Sequence, residues 1–305
     1  MAQARQPAPA ALRNVLVPSD FSRGAGYALR RALRLPLAEG ARVHLLHVLP
    51  EGLSAKQRAG QARIAREALA HAWASVAAQC RRLPRLETSD EVLDGEAFVE
   101  IIRCARRQQS DLIVLGRHGA GGFKDMLIGT TAERVVRKGD LPVLVVRQRP
   151  TRPYQVPLIA TDLGDASLRT LDLARSVLGP EVGCAEVLHV FNVPFEGLVA
   201  PASGARSAAD YRKSFQEKAA AKLRAWLRSY RSEGIEWRPR LRDGDPRSVI
   251  AVEARKLHAD LLVLGTHGRA GLSHVLLGSV AEFALAAALC DVLVARPVRF
   301  TFELP

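Results

Sequence analysis

The chain has 305 residues, 48% hydrophobic and 25% charged, with 44 Lys plus Arg against 31 Asp plus Glu and a formal charge of +13. This composition excludes global disorder, and the length is room for about two domains of ~100–200 residues. The basic excess first points to nucleic acid, but 37 of the 44 cations are Arg, only 5% of residues are aromatic, and the surplus is uneven, +10 over residues 1–150 against +3 over 151–305. A specific nucleic-acid surface would want clustered basics with interleaved stacking rings, so no such partner is expected.

Met1 to Ala10 is Ala, Pro and Gln with one Arg. It has no apolar h-region, so no secretory signal is expected. Short apolar strands then alternate with longer amphipathic stretches. Strands are expected at Asn14–Val17, Arg42–Val48, Leu86–Leu93, Leu112–Gly116 and Val143–Val146. The helices between them are expected at Ala25–Leu37, Ala55–Arg81, Glu96–Gln108 and Thr130–Lys138. A second series follows, with strands at Leu158–Ala160, Ala185–Val190, Glu236–Arg242, Leu261–Gly265 and Val292–Ala295. Its helices are expected at Ser167–Leu178, Ala208–Arg231, Pro246–Leu257 and Ser279–Leu289. The Gly/Ala/Pro/Ser-rich stretch Phe195–Arg206 reads as a loop near the end of the second strand of this series. Phe283–Ala295 is too short for a membrane span and is broken by Asp291, so a cytoplasmic protein is expected. The cysteines, Cys80, Cys104, Cys184 and Cys290, lie far apart, with neither a disulfide framework nor metal-ligand spacing.

The two series are one pattern written twice. Asp111-Leu-Ile-Val-Leu-Gly-Arg-His-Gly119 returns 149 residues later as Asp260-Leu-Leu-Val-Leu-Gly-Thr-His-Gly268. Gly129-Thr-Thr-Ala-Glu133 returns at the same offset as Gly278-Ser-Val-Ala-Glu282. Asn14–Asp20 matches Val156–Asp162 at an offset of 142. A period this long means two whole domains, 1–150 and 151–305, joined at Gln148-Arg-Pro-Thr-Arg-Pro153. Near-continuous apolar strands alternating with helices give a parallel α/β sheet with helices on both faces.

Ligands of such sheets bind at the carboxyl ends of the strands where strand order reverses. Three features fall there in each copy. Asp20 and Asp162 follow the first strand. A carboxylate there can accept from an amino or hydroxyl group, or cap the following turn. Gly116-Arg-His-Gly119 and Gly265-Thr-His-Gly268 follow the fourth strand, where glycine lets backbone N–H groups approach a ligand. Gly129-Thr130 and Gly278-Ser279 open the next helix, a natural phosphate seat. There is no P-loop, no nucleophile elbow and no complete dinucleotide fingerprint. No catalytic residue or metal site is assigned.

The paired G-x2-G-x9-G-[S/T] spacing, Leu16-Val-Pro-Ser-Asp-Phe-Ser22 and Pro142-Val-Leu-Val-Val146 resemble the ATP-binding branch of the universal stress protein family. The resemblance covers Arg13 to Val298. It implies two tandem doubly wound five-stranded sheets of order 3-2-1-4-5, of the adenine nucleotide alpha hydrolase-like type. It implies ATP, with magnesium as its companion ion, in each domain. The first site would comprise Pro18, Ser19, Asp20, Val48, Gly116, Gly119, Gly129, Thr130 and Thr131. The second would comprise Ala160, Thr161, Asp162, Val190, Gly265, His267, Gly268, Arg269, Gly278, Ser279 and Val280. Asp20 and Asp162 would meet adenine, Val48 and Val190 would flank it, and the glycine loops would hold ribose and phosphates. Arg117 or Lys124 would supply phosphate charge in copy one, where copy two has Arg269. Departures such as Ala160 for Pro18 and Gly164 for Ser22 imply unequal affinities. The family also implies an internal pseudo-dimer that pairs Val143–Val146 with Val292–Ala295, and a homodimer as a further assembly. A nucleotide-dependent regulatory protein is expected. A slow ATPase or nucleotide-transfer enzyme of the same fold is the alternative.

Overall fold

Side chains alternate across a β-strand, so a run such as Leu112-Ile-Val-Leu115 must find apolar cover on both sides of its sheet. The computed structural model describes residues 11–117, 129–164, 167–193, 208–230, 234–266 and 277–296, and shows how that cover is supplied. The first copy runs β1 (Leu12–Pro18), α1 (Arg23–Ala32), β2 (Leu37–Leu49), α2 (Ala55–Cys80), β3 (Glu87–Asp94), α3 (Ala97–Arg107), β4 (Leu112–Gly116), α4 (Thr130–Lys138) and β5 (Val143–Val146). The second runs β6 (Pro157–Ala160), α5 (Leu168–Val177), β7 (Cys184–Phe191), α6 (Ala208–Ser229), β8 (Glu236–Asp243), α7 (Pro246–Lys256), β9 (Leu261–Gly265), α8 (Ser279–Ala287) and β10 (Asp291–Ala295).

The strand order is β3-β2-β1-β4-β5-β10-β9-β6-β7-β8. Each copy therefore has the expected order 3-2-1-4-5, with parallel neighbours throughout. The two sheets are continuous, because β10 pairs antiparallel with β5, Val292 opposite Val145 and Val294 opposite Val143. This is the expected edge pairing, and it leaves both strands fully buried.

Alternation then builds one core layer on each face, and each layer crosses the seam. Val15, Val114, Leu144, Val263 and Leu293 face one way. Leu16, Ile113, Val145, Leu262 and Val292 face the other.

Most elements match expectation to within a residue or two at their ends. The exceptions are α1, expected to reach Leu37 but ending at Ala32, and β2, expected from Arg42 but beginning at Leu37. Pro36 disfavours helical backbone at the residue before it, and Leu37 instead starts β2 opposite Leu12. Ser54 and Gln57 close a capping box on α2, and Asp245 with Pro246 opens α7.

The seam carries a buried polar cluster. Asp291, 2% exposed, accepts from Arg31 Nε at 3.1 Å, Tyr154 Oη at 2.7 Å and the Arg147 backbone N–H at 2.8 Å. Arg31 also donates to Arg152 O at 2.9 Å and lies 3.9 Å over the Tyr154 ring. Burial pushes the Asp291 carboxyl up and the Arg31 charge opposes that rise. Two arginines just past the seam strands repeat one contact with the copies exchanged. Arg147 donates to Leu285 O on α8, and Arg296 donates to Val136 O on α4. Each thereby satisfies a carbonyl in the last turns of the other copy's helix.

Removing the Asp291 charge while Arg31 stays buried should cost about 3–5 kcal/mol. Asp291→Asn is expected to show this loss in guanidinium unfolding. Burial, reinforced by Asp291, also pushes the Cys290 thiol from 9.0 to about 12. The folded value lies above the unfolded one, so this contribution is complete below pH 9 and disappears as pH rises toward 12. Unfolding free energy should fall from pH 9 upward with a Cys290 share of ~1.4 kcal/mol per pH unit, absent in Cys290→Ser.

Candidate nucleotide sites at the strand ends

The strand order reverses between β1 and β4 in one copy and between β6 and β9 in the other. At both places the chain leaves the first strand through the same tight turn. The Ser19 N–H donates to Leu46 O at 2.8 Å and the Thr161 N–H to Leu188 O at 2.9 Å. The Ser19 hydroxyl accepts from the Phe21 N–H at 3.2 Å, and the Thr161 hydroxyl from the Leu163 N–H at 3.0 Å. Asp20 Oδ1 accepts from the Ser22 N–H at 3.1 Å, and Asp162 Oδ1 from the Gly164 N–H at 2.9 Å. Both aspartates thus close Asx turns. The turns force Phe21 and Leu163 to φ 63° in each case, a left-handed backbone uncommon for such side chains.

A histidine anchors each turn from the neighbouring strand. His47 Nδ1 lies 2.7 Å from Ser19 O, and His189 Nδ1 lies 2.9 Å from Thr161 O. These anchors escaped the sequence reading. A signal was present, because anchor and turn are 28 residues apart in both copies. Val48 and Val190 are half-buried beside them, against the same core face.

The other side of each site is a glycine-opened helix. Gly129 (ψ 142°) and Gly278 (ψ 143°) begin α4 and α8 without a side-chain cap. Thr130 and Ser279 are exposed at the first helical position, with Thr131 and Val280 next. The first-turn N–H groups of these helices therefore face outward with no side-chain partner from the cap, and carry the positive end of the helix dipole. The necks of the two glycine loops are pinned alike. The Gly129 N–H donates to Arg117 O at 2.7 Å, and the Gly278 N–H to Thr266 O at 2.8 Å. Gly119, His267, Gly268, Arg269 and Lys124 lie outside the described residues, as does Phe195–Arg206.

The family model of the universal stress proteins matches this chain twice, over residues 11–147 and 153–296. The chain belongs to the universal stress protein family. It is 32% identical over 145 residues to a universal stress protein of Methanocaldococcus jannaschii, an alignment covering 47% of this chain and 82% of that one. A second from the same organism is 25% identical over 155 residues, covering 45% and 96%. The crystal structure of a universal stress protein from Archaeoglobus fulgidus superposes with a TM-score of 0.64 at 20% identity, covering 93% of this chain and 98% of that one, a likeness of fold. Among the described residues no helix is long and apolar enough to cross a membrane.

Within this universal stress protein the copies differ at the turn after the first strand. Asp20 is exposed, and Phe21, 40% exposed, stacks on His47 with centroids 4.4 Å apart. Asp162 is half-buried, and the Ser167 hydroxyl donates to it at 2.6 Å. Leu163 is buried where Phe21 is exposed, and the Trp226 indole on α6 donates to Gly164 O at 3.3 Å.

One expectation is corrected. Arg117 turns its charge toward the other copy. Its guanidinium donates to Ala286 O at 3.1 Å, at the end of α8 in the other copy, where the helix dipole is negative. Gly116 also has a packing role. A Cβ there would stand 2.5 Å from the Gly24 carbonyl carbon and 2.9 Å from the Ala25 nitrogen. Only glycine lets β4 end against the first turn of α1. Gly116→Ala is expected to lower stability by about 1–3 kcal/mol, as overpacking against backbone does, read as a lower melting temperature.

Proposed function

We propose that each half of this universal stress protein, 1–150 and 151–305, is a nucleotide-binding domain. Each would take ATP with magnesium at its switch point. The observation that carries this is the repetition of one unusual site. Two turns with the same strained φ, each tied to a histidine, stand beside two helices that both open on glycine. A single copy could be local turn chemistry. The same geometry kept on sequences that differ elsewhere supports a shared ligand.

In this reading the carboxylates of Asp20 and Asp162 accept from the adenine amino group, with Val48 and Val190 against the base. Phosphates sit at Gly129-Thr130 and Gly278-Ser279, where first-turn N–H groups supply donors and the dipole favours negative charge. Magnesium would bridge the phosphates rather than sit in a cage of protein ligands. Occupancy sets conformation or partner choice in a cytoplasmic stress response, and any turnover is slow.

The first site binds more tightly. Phe21, 40% exposed beside Asp20, offers the base a ring face worth about 1–3 kcal/mol of stacking, whereas Leu163 at the matching position is buried. Isothermal titration should resolve two ATP sites differing about tenfold or more in Kd, since 1.4 kcal/mol is tenfold. Asp20→Ala should remove the tighter site and Asp162→Ala the weaker. Two equal sites would reject the ranking, and unchanged stoichiometry in both variants would reject the placement.

A further inference from the structure

We propose that the first copy holds a zinc site built from His44, Glu91 and Cys104, separate from the nucleotide sites. The three residues come from β2, β3 and α3, and donor atoms of all three lie within 4.8 Å of one another. His44 Nε2 is 3.6 Å from Glu91 Oε2, and Cys104 Sγ is 3.9 Å from that same oxygen. Tetrahedral zinc with bonds of 2.0–2.3 Å places its donors roughly 3.3–3.7 Å apart, so a small contraction closes the site.

The histidine carries the argument. His44 is 5% exposed, and its Nε2 is buried with no hydrogen-bond partner. Its other nitrogen, Nδ1, lies 2.8 Å from the Ser89 hydroxyl, directly across the β2–β3 register. A proton on Nδ1 held by Ser89 turns the Nε2 lone pair toward Glu91 and Cys104. That is the outer-shell arrangement that fixes the tautomer of metal-binding imidazoles. In that tautomer and without a metal, Nε2 is a buried acceptor with no hydrogen-bond donor, a state proteins rarely tolerate.

The second copy supplies an internal control. Register and repeat place Glu186, Arg240 and Glu253 at the positions of His44, Glu91 and Cys104. There the positions form a closed ion network, Arg240 to Glu186 at 3.0 Å and to Glu253 at 3.5 Å, with Arg242 to Glu253 at 2.9 Å. One scaffold position is thus filled by complementary charges in one copy and by a nitrogen, an oxygen and a sulfur donor in the other. Such a mixed set suits zinc rather than magnesium or calcium, which take oxygen ligands. Thiolate and carboxylate together neutralise the ion, the Cys104 proton passing to solvent on binding. Arg107, which pairs with Glu91, balances the carboxylate before binding. His44 and Val48 share a face of β2 four residues apart, roughly 13 Å, so the metal does not touch the nucleotide.

The test uses the full chain, loaded with zinc or cobalt(II) and dialysed against metal-free buffer. The expected result is one metal per chain by elemental analysis. The cobalt form should show thiolate-to-cobalt charge transfer and the visible bands of a tetrahedral ion. Cys104→Ser should abolish the charge transfer, and Ser89→Ala should weaken zinc binding by about 10–100-fold, as loss of an outer-shell partner does. Cys290→Ser should retain both signals. Less than stoichiometric metal after dialysis overturns the proposal, as does a charge-transfer band that survives Cys104→Ser. The Ser89 variant leaves the buried trio intact, so it reads the site even if Cys104→Ser folds poorly.

Discussion

Three facing residue pairs of antiparallel backbone, Val143–Val145 on β5 against Val292–Val294 on β10, join the two halves of this protein. Each half alone would present the hydrogen-bonding edge of a short strand, apolar but for Asp291 at the start of β10. Such an edge is a template for association with any other chain. Pairing the two edges satisfies both and makes the cores continuous on each face. The buried charges then restrict how the pairing is made. Asp291 takes bonds from α1, the connector and the backbone after β5, so it recognises one registration of the halves. Burial holds its carboxyl above the ordinary range against the pull of Arg31, and a buried pair of this kind specifies registration more than it adds stability. The reciprocal arginines, Arg147 and Arg296, reinforce that registration.

The seam also separates the two candidate sites. β5 and β10 stand between the two switch points, and antiparallel pairing turns the carboxyl ends of the two half-sheets in opposite directions. Arg117 leaves the neck of the first glycine loop and ends on α8, the helix that opens at Gly278. On the proposed reading, that contact ties one site to the helix of the other.

Much of this was legible in the sequence because the repeat made it so. Two copies of one pattern placed the strands, and the family resemblance implied the order 3-2-1-4-5 and the seam pairing. The turn aspartates and glycine-opened helices were legible for the same reason. What escaped depended on contacts between separate elements. His47 and Ser19 meet only because β2 lies beside β1. His44, Glu91 and Cys104 lie 47 and 13 residues apart, so no linear spacing marks them. Arg117 was misplaced because a local motif cannot show that a long side chain crosses into the other copy. The end of α1 was misjudged because the apolar pattern runs on to Leu37, although Pro36 had already forbidden the helix.

The central claim is that one chain carries two adenine nucleotide sites of unequal strength. Native mass spectrometry of the intact chain at rising ATP and magnesium tests it most directly. The account predicts that a singly bound species accumulates well above the statistical level before a doubly bound one appears, and that no third ATP adds. No ATP adduct, or uptake of two nucleotides in statistical proportions, would contradict it.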